Sequence, residues 1–154
     1  MGLSVDILVH GGLFILLFLF AFFWGKEKIF AFTISLYIAS FLYSYFPYND
    51  QFRGSAEYSL AFKGIIFLVL ASAPYLIFSR LGIYSSSTST NRVLHSALLA
   101  LGALILLIFI SYHIIPLYSV YNFSSGIDNL FQPAEVRFWW LAAPLLLMFP
   151  AIRK

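Results

Sequence analysis

Apolar stretches at residues 3–24, 29–46, 59–79, 93–115 and 136–152 occupy most of this chain, and the basic residues fall largely on alternate connections between them. A helical span of a bilayer core needs about 20 mostly apolar residues, with roughly 17 to 25 tolerated. Residues 7–25, 29–49 and 93–127 contain no Asp, Glu, Lys or Arg. The pattern predicts an all-α, polytopic integral membrane bundle of about five transmembrane helices, because a helix satisfies its own backbone groups in lipid.

The charges predict an orientation. Lys26 and Lys28 lie on the first connection, Arg80 and Arg92 flank the third, and Arg153 and Lys154 end the chain. Those six bases are opposed by Glu27 alone, for a net of +5. The other connections hold Asp6, Asp50, Glu57, Asp128 and Glu135 against Arg53, Lys63 and Arg137, for a net of −2. Short links rich in Lys and Arg stay in the cytosol. The N-terminus is therefore expected outside and the C-terminus cytoplasmic.

With 62% hydrophobic and 10% charged residues, little chain is left for a soluble domain. The expected organisation is a four-helix membrane core over residues 1–115, an outer loop over 116–135 with a short interfacial helix, and a last span with a basic tail over 136–154. The basic pI of about 9.2 reflects residues flanking spans rather than a stripe for nucleic acid. The lipid bilayer is the expected partner, with anionic headgroups meeting the bases. The absence of Cys removes disulfides, thiol nucleophiles and thiolate metal sites. The first stretch lacks a basic leading region and a small-residue cleavage site, and is read as a retained span.

Local features refine this picture. Ala31, Ser35 and Ala39 form a small-residue ladder at four-residue spacing, and Ser96, Ala100 and Ala103 form a second small face. Such residues let helix backbones approach closely in lipid. The short first connection predicts an antiparallel hairpin of the first two spans. Pro74 is expected to bend the third span or mark a contact that satisfies the freed carbonyl. The hydroxyl run 85–90 reads as a flexible linker. Ser124 or Ser125 is placed to cap the interfacial helix carrying Ile127, Leu130 and Phe131, and Asn122 begins a glycosylation sequon on the outer side. Pro144 and Pro150 make the last span the shortest and least regular.

Little here is equipped for catalysis. No ionisable residue sits at mid-depth of a span, where such groups usually serve function. The zinc-helix, nucleophile-elbow and phosphate-loop motifs are absent. The nearest constellation is at the outer surface. Asp6 and His10 share a helix face at i,i+4, and His113 is expected at similar depth. Together these three read either as a metal or pH-sensing cluster or as groups capping interfacial helix ends among aromatic belt residues such as Tyr112. No catalytic residue, metal or cofactor is expected, haem included.

Thr90-Asn91-Arg92-Val93-Leu94 leads into a helix rich in small residues (Ser96, Ala97, Ala100, Gly102, Ala103). This resembles the D-R-x-L-G-x-x-x-G-type segment of the colicin V production protein family, CvpA. Asp6-Ile7 at the first span and the turn of Gly25, Lys26 and Lys28 are similar in order and charge, so the resemblance covers roughly residues 1–115. Asn91, His95 and Leu99 stand where the family has Asp, Gly and Gly, and its last Gly falls near Ala103. Asp6, Gly25 and Arg92 keep the pattern. The resemblance implies a multi-pass protein of the bacterial cytoplasmic (inner) membrane, linked to colicin V export and envelope homeostasis, with no catalytic residues to carry over.

The expected function is thus a non-enzymatic membrane accessory or scaffold, working through helix-packing surfaces with a membrane-protein partner or as a homo-oligomer. The alternatives are an oligomeric small-solute channel or transporter subunit, and a lipid-acting interfacial enzyme using Asp6, His10 or His113.

Overall fold

The computed structural model describes residues 2–46, 56–81, 92–115, 129–130 and 133–152, with the side chains of 2–6, 56–59, 92, 134 and 150–152 outside the description. All regular structure among these residues is helical. α1 spans Gly2–Trp24, α2 Lys26–Ser44, α3 Ala56–Leu81, α4 Arg92–His113 and α5 Arg137–Ile152, the last preceded by a 3-10 turn at Ala134–Val136. Stretches at Ile7–Trp24, Leu60–Leu81 and Val93–His113 are long and apolar enough to cross a membrane. α2 carries Lys26, Glu27 and Lys28 in its first turn, and the 16 residues of α5 reach about 24 Å at 1.5 Å per residue.

Helix ends follow from local chemistry. α1 stops at Trp24 because Gly25 takes φ 98°, a conformation that a side chain disfavours. The Gly25 carbonyl then accepts the Lys28 N–H at 3.2 Å and opens α2. Glu27 in that first turn complements the positive end of the helix dipole. α2 closes with tight turns, Tyr45 N–H to Leu42 C=O at 3.2 Å and Phe46 N–H to Tyr43 C=O at 3.1 Å. At the end of α4 both Ile114 and Ile115 donate to Ile110 C=O at 2.9 Å.

α4 is the central helix. Half of its Val93–His113 span is buried, against 11% for the corresponding stretches of α1 and α3. It packs on α5, α1 and α2, while α3 packs chiefly on α2. α1 meets α2 across the single-residue link at Gly25, as Leu17 and Ala21 beside Ile29 show, but lies more against α4. The outward faces of α1 and α3 carry exposed Ile7, Leu8, Leu16 and Phe23, and Ile65, Leu68, Val69 and Ile77. Apolar faces of this extent belong against lipid or protein rather than water.

Two core clusters reveal the helix directions. The first joins Leu17 and Ala21 late in α1, Ile29 early in α2, Leu99, Ala100 and Ala103 early in α4, and Met148 late in α5. The second joins Leu36, Ala39 and Tyr43 in the later half of α2, Phe67 and Ala71 in the middle of α3, and Leu106, Phe109 and Ile110 late in α4. Ring pairs Phe32–Tyr75 at 6.5 Å and Tyr43–Phe67 at 6.1 Å give α2 and α3 an antiparallel register. Lys26, Lys28 and Arg80 thus mark the end of the bundle that holds the first cluster.

The expected features at Asp50, Arg53, residues 85–90, Asn122, Ser124, Ser125, Ile127 and Phe131 lie outside the described residues. Of the expected interfacial helix, Asn129 and Leu130 are helical, and the Leu130 carbonyl accepts the Trp140 indole N–H at 2.6 Å. α5 adds Pro144 and Met148 to the same interior as the first four helices.

Candidate functional site

Ala31, Ser35, Ala39, Ser96, Ala100 and Ala103 are all buried inside the chain. α2 buries two rows, the Ala31/Ser35/Ala39 ladder and Ile29/Thr33/Leu36/Ser40/Tyr43, about a third of a turn apart. The helix has neighbours on more than one side, which accounts for both. The ladder therefore serves packing within one chain and is not a surface offered to another.

Hydroxyls in these rows bond back to their own helix. Thr33 donates to Ile29 C=O at 2.8 Å, Ser35 to Phe32 C=O at 2.7 Å and Ser40 to Leu36 C=O at 2.7 Å. Each occupies its donor where lipid or protein supplies no water. Ser96 differs: its hydroxyl is buried with no hydrogen-bond partner among the described residues.

The remaining predicted positions are dispersed. Asp6 lies in the backbone of α1, Gly25 forms the positive-φ turn, and Arg92 begins α4. His10 is half-buried on α1, and His113 packs its ring on Phe109 at 4.7 Å near the end of α4. The cluster Leu17, Ala21, Leu99, Ala103 pairs late α1 with early α4, so His10 and His113 lie toward the same end of the bundle. Among the described residues no group of three His, Cys, Asp or Glu is arranged to hold a metal. The Asp6 side chain is outside those residues.

The structure adds a contact absent from the sequence expectations. Pro144 lacks an N–H, so the Trp140 carbonyl loses its rung in α5. One rung on, the Tyr37 hydroxyl of α2 donates to Leu141 C=O at 2.5 Å. The hydroxyl thus bonds the α5 backbone three residues before the proline, on the carbonyl next to the one that Pro144 deprives of a donor. A partial signal was present: Tyr37 is a polar residue in mid-span, and its hydroxyl needs an acceptor on a neighbouring helix.

A groove of about 620 Å³ lies over α2 between α3 and α4. Phe32 and Leu36 form its floor, with Gly64, Phe67 and Ala71 on one wall and Ile110 on the other. Ser111 also lines it, but its hydroxyl is bonded to Leu107 C=O at 2.8 Å. The groove is therefore an apolar concavity of a size that takes a ligand. α3 and α4 flank it without substantial contact of their own. Gly64 keeps it open: a Cβ built there meets nothing within 4 Å. Compared with known protein families, curated proteins and solved structures, the chain matches none.

Proposed function

We propose that this chain is a five-pass protein of the bacterial cytoplasmic membrane, N-terminus outside and C-terminus in the cytosol, that acts without catalysis as an accessory or scaffold. The CvpA-like residues Asp6, Gly25 and Arg92 suggest a role in bacteriocin export or envelope homeostasis. The observation that carries the scaffold reading is the interior. Its buried side chains are apolar apart from Thr33, Ser35, Ser40 and Ser96 among the described residues, and three of these hydroxyls are bonded to their own helix. Such an interior holds helices together and offers no ionisable relay.

Crosslinking in the native membrane, followed by identification of co-purified proteins, tests the role. A scaffold yields a reproducible membrane partner and leaves protein-loaded liposomes tight. Solute flux through liposomes containing this protein alone would instead assign a channel subunit. Reporter fusions at Ser87 and Asn122 test the topology and are expected in opposite compartments.

A further inference from the structure

We infer that the groove between α3 and α4 binds one acyl chain of an anionic phospholipid whose phosphate is held by Lys63. This rests on the membrane reading above but not on which face is cytosolic. Three observations carry it. First, the groove has the length of one leaflet. It runs along α3 from Leu60 to Ala71, roughly 16 Å at the helical rise of 1.5 Å per residue, close to half of a hydrocarbon core about 30 Å thick. Second, it is closed at its inner end. Phe32 of the floor meets Tyr75, one turn beyond Ala71, edge-on at 6.5 Å. A spanning helix would need a groove continuing across the membrane, whereas an acyl chain ends at the midplane.

Third, a basic residue stands on α3 beside the groove, though not in its lining. Lys63 is the one charged residue between Leu60 and Ser79. It adjoins Gly64 and lies one turn from both Leu60 and Phe67, all three of which line the groove. Lys63 is half-buried. Its stem can follow the apolar wall while the ammonium reaches out to the headgroup layer.

Native mass spectrometry of the detergent-purified protein, titrated with phosphatidylglycerol and with phosphatidylcholine, tests this. Wild type is expected to retain one phosphatidylglycerol in preference to phosphatidylcholine. Lys63→Gln should weaken that binding about fivefold, the effect of one basic group near an anionic headgroup, and Lys63→Arg should keep it. Gly64→Leu fills open space and favours helix, so it should fold while losing the lipid. Equal retention by wild type, Lys63→Gln and Gly64→Leu would overturn the inference, as would a dimer that Gly64→Leu abolishes. Carbonate extraction separates the two ideas: release of the protein defeats the membrane reading, whereas a membrane-retained protein indifferent to these variants defeats the groove alone.

Discussion

Gly102 of α4 lies directly against Pro144 of α5, where a Cβ built on the glycine would meet the proline carbonyl oxygen at 3.4 Å and its Cα at 3.5 Å. An alanine methyl fits at those distances, and a larger side chain does not. Gly102→Ala should leave thermal stability in detergent unchanged or raise it, since glycine costs about 1 kcal/mol in a helix interior. Gly102→Leu should destabilise by about 1–3 kcal/mol through overpacking. A fluorescence-based melting series of both variants checks the contrast.

Tyr37 is tied to the same region of α5 through Leu141. Tyr37→Phe removes the hydroxyl with little change of shape and should cost about 1 kcal/mol, the scale of an interhelical hydrogen bond in a membrane protein. Pro144→Ala returns a donor to the neighbouring Trp140 carbonyl and straightens α5, which should draw Leu141 away from Tyr37 and lower the cost of the same substitution. A double-mutant cycle measures that coupling, and strictly additive effects would dissociate the hydroxyl from the proline break.

Ser96 buries a hydroxyl without a partner. An unsatisfied buried polar group carries a desolvation penalty of about 1–3 kcal/mol. Ser96→Ala should therefore stabilise the bundle by about 1 kcal/mol, read as a higher melting temperature. A loss of stability would mean that the hydroxyl has a partner in the membrane.

The ladder on α2 gives a prediction of a different kind. Because Ser35 and Ala39 are buried within the chain, Ser35→Leu or Ala39→Leu should lower monomer stability by about 1–3 kcal/mol. Size-exclusion chromatography with light scattering separates this from an effect on oligomeric state. A clean loss of oligomer from a stably folded variant would return the ladder to an interface between chains.

The helices were legible because long uncharged apolar runs favour helix, the structure that satisfies its own backbone. Residues 93–115 without a charge give α4 with an error of one or two residues at either end. α2 begins earlier than its apolar run, at Lys26, because Gly25 starts the helix and Glu27 suits its first turn. Small residues were also readable, in that Ala31, Ser35, Ala39, Ser96, Ala100 and Ala103 mark closely packed faces. Their spacing did not specify the facing helix. Gly102 adjoins the second of these faces, yet its partner Pro144 is 42 positions away and carries no local signature.

The sequence by itself determined the five long helices among the described residues, to within a few residues at each end, since each depends on whether one segment is continuously apolar. The tertiary structure alone decided that α4 is central, that α1 leans on it, that Tyr37 bonds α5 at Leu141 and that a half-length groove remains between α3 and α4. In lipid every apolar helix face is equally content with a hydrocarbon neighbour, so hydrophobicity cannot choose between partners. The choice falls to shape and to single hydrogen bonds, which exist only once the helices meet.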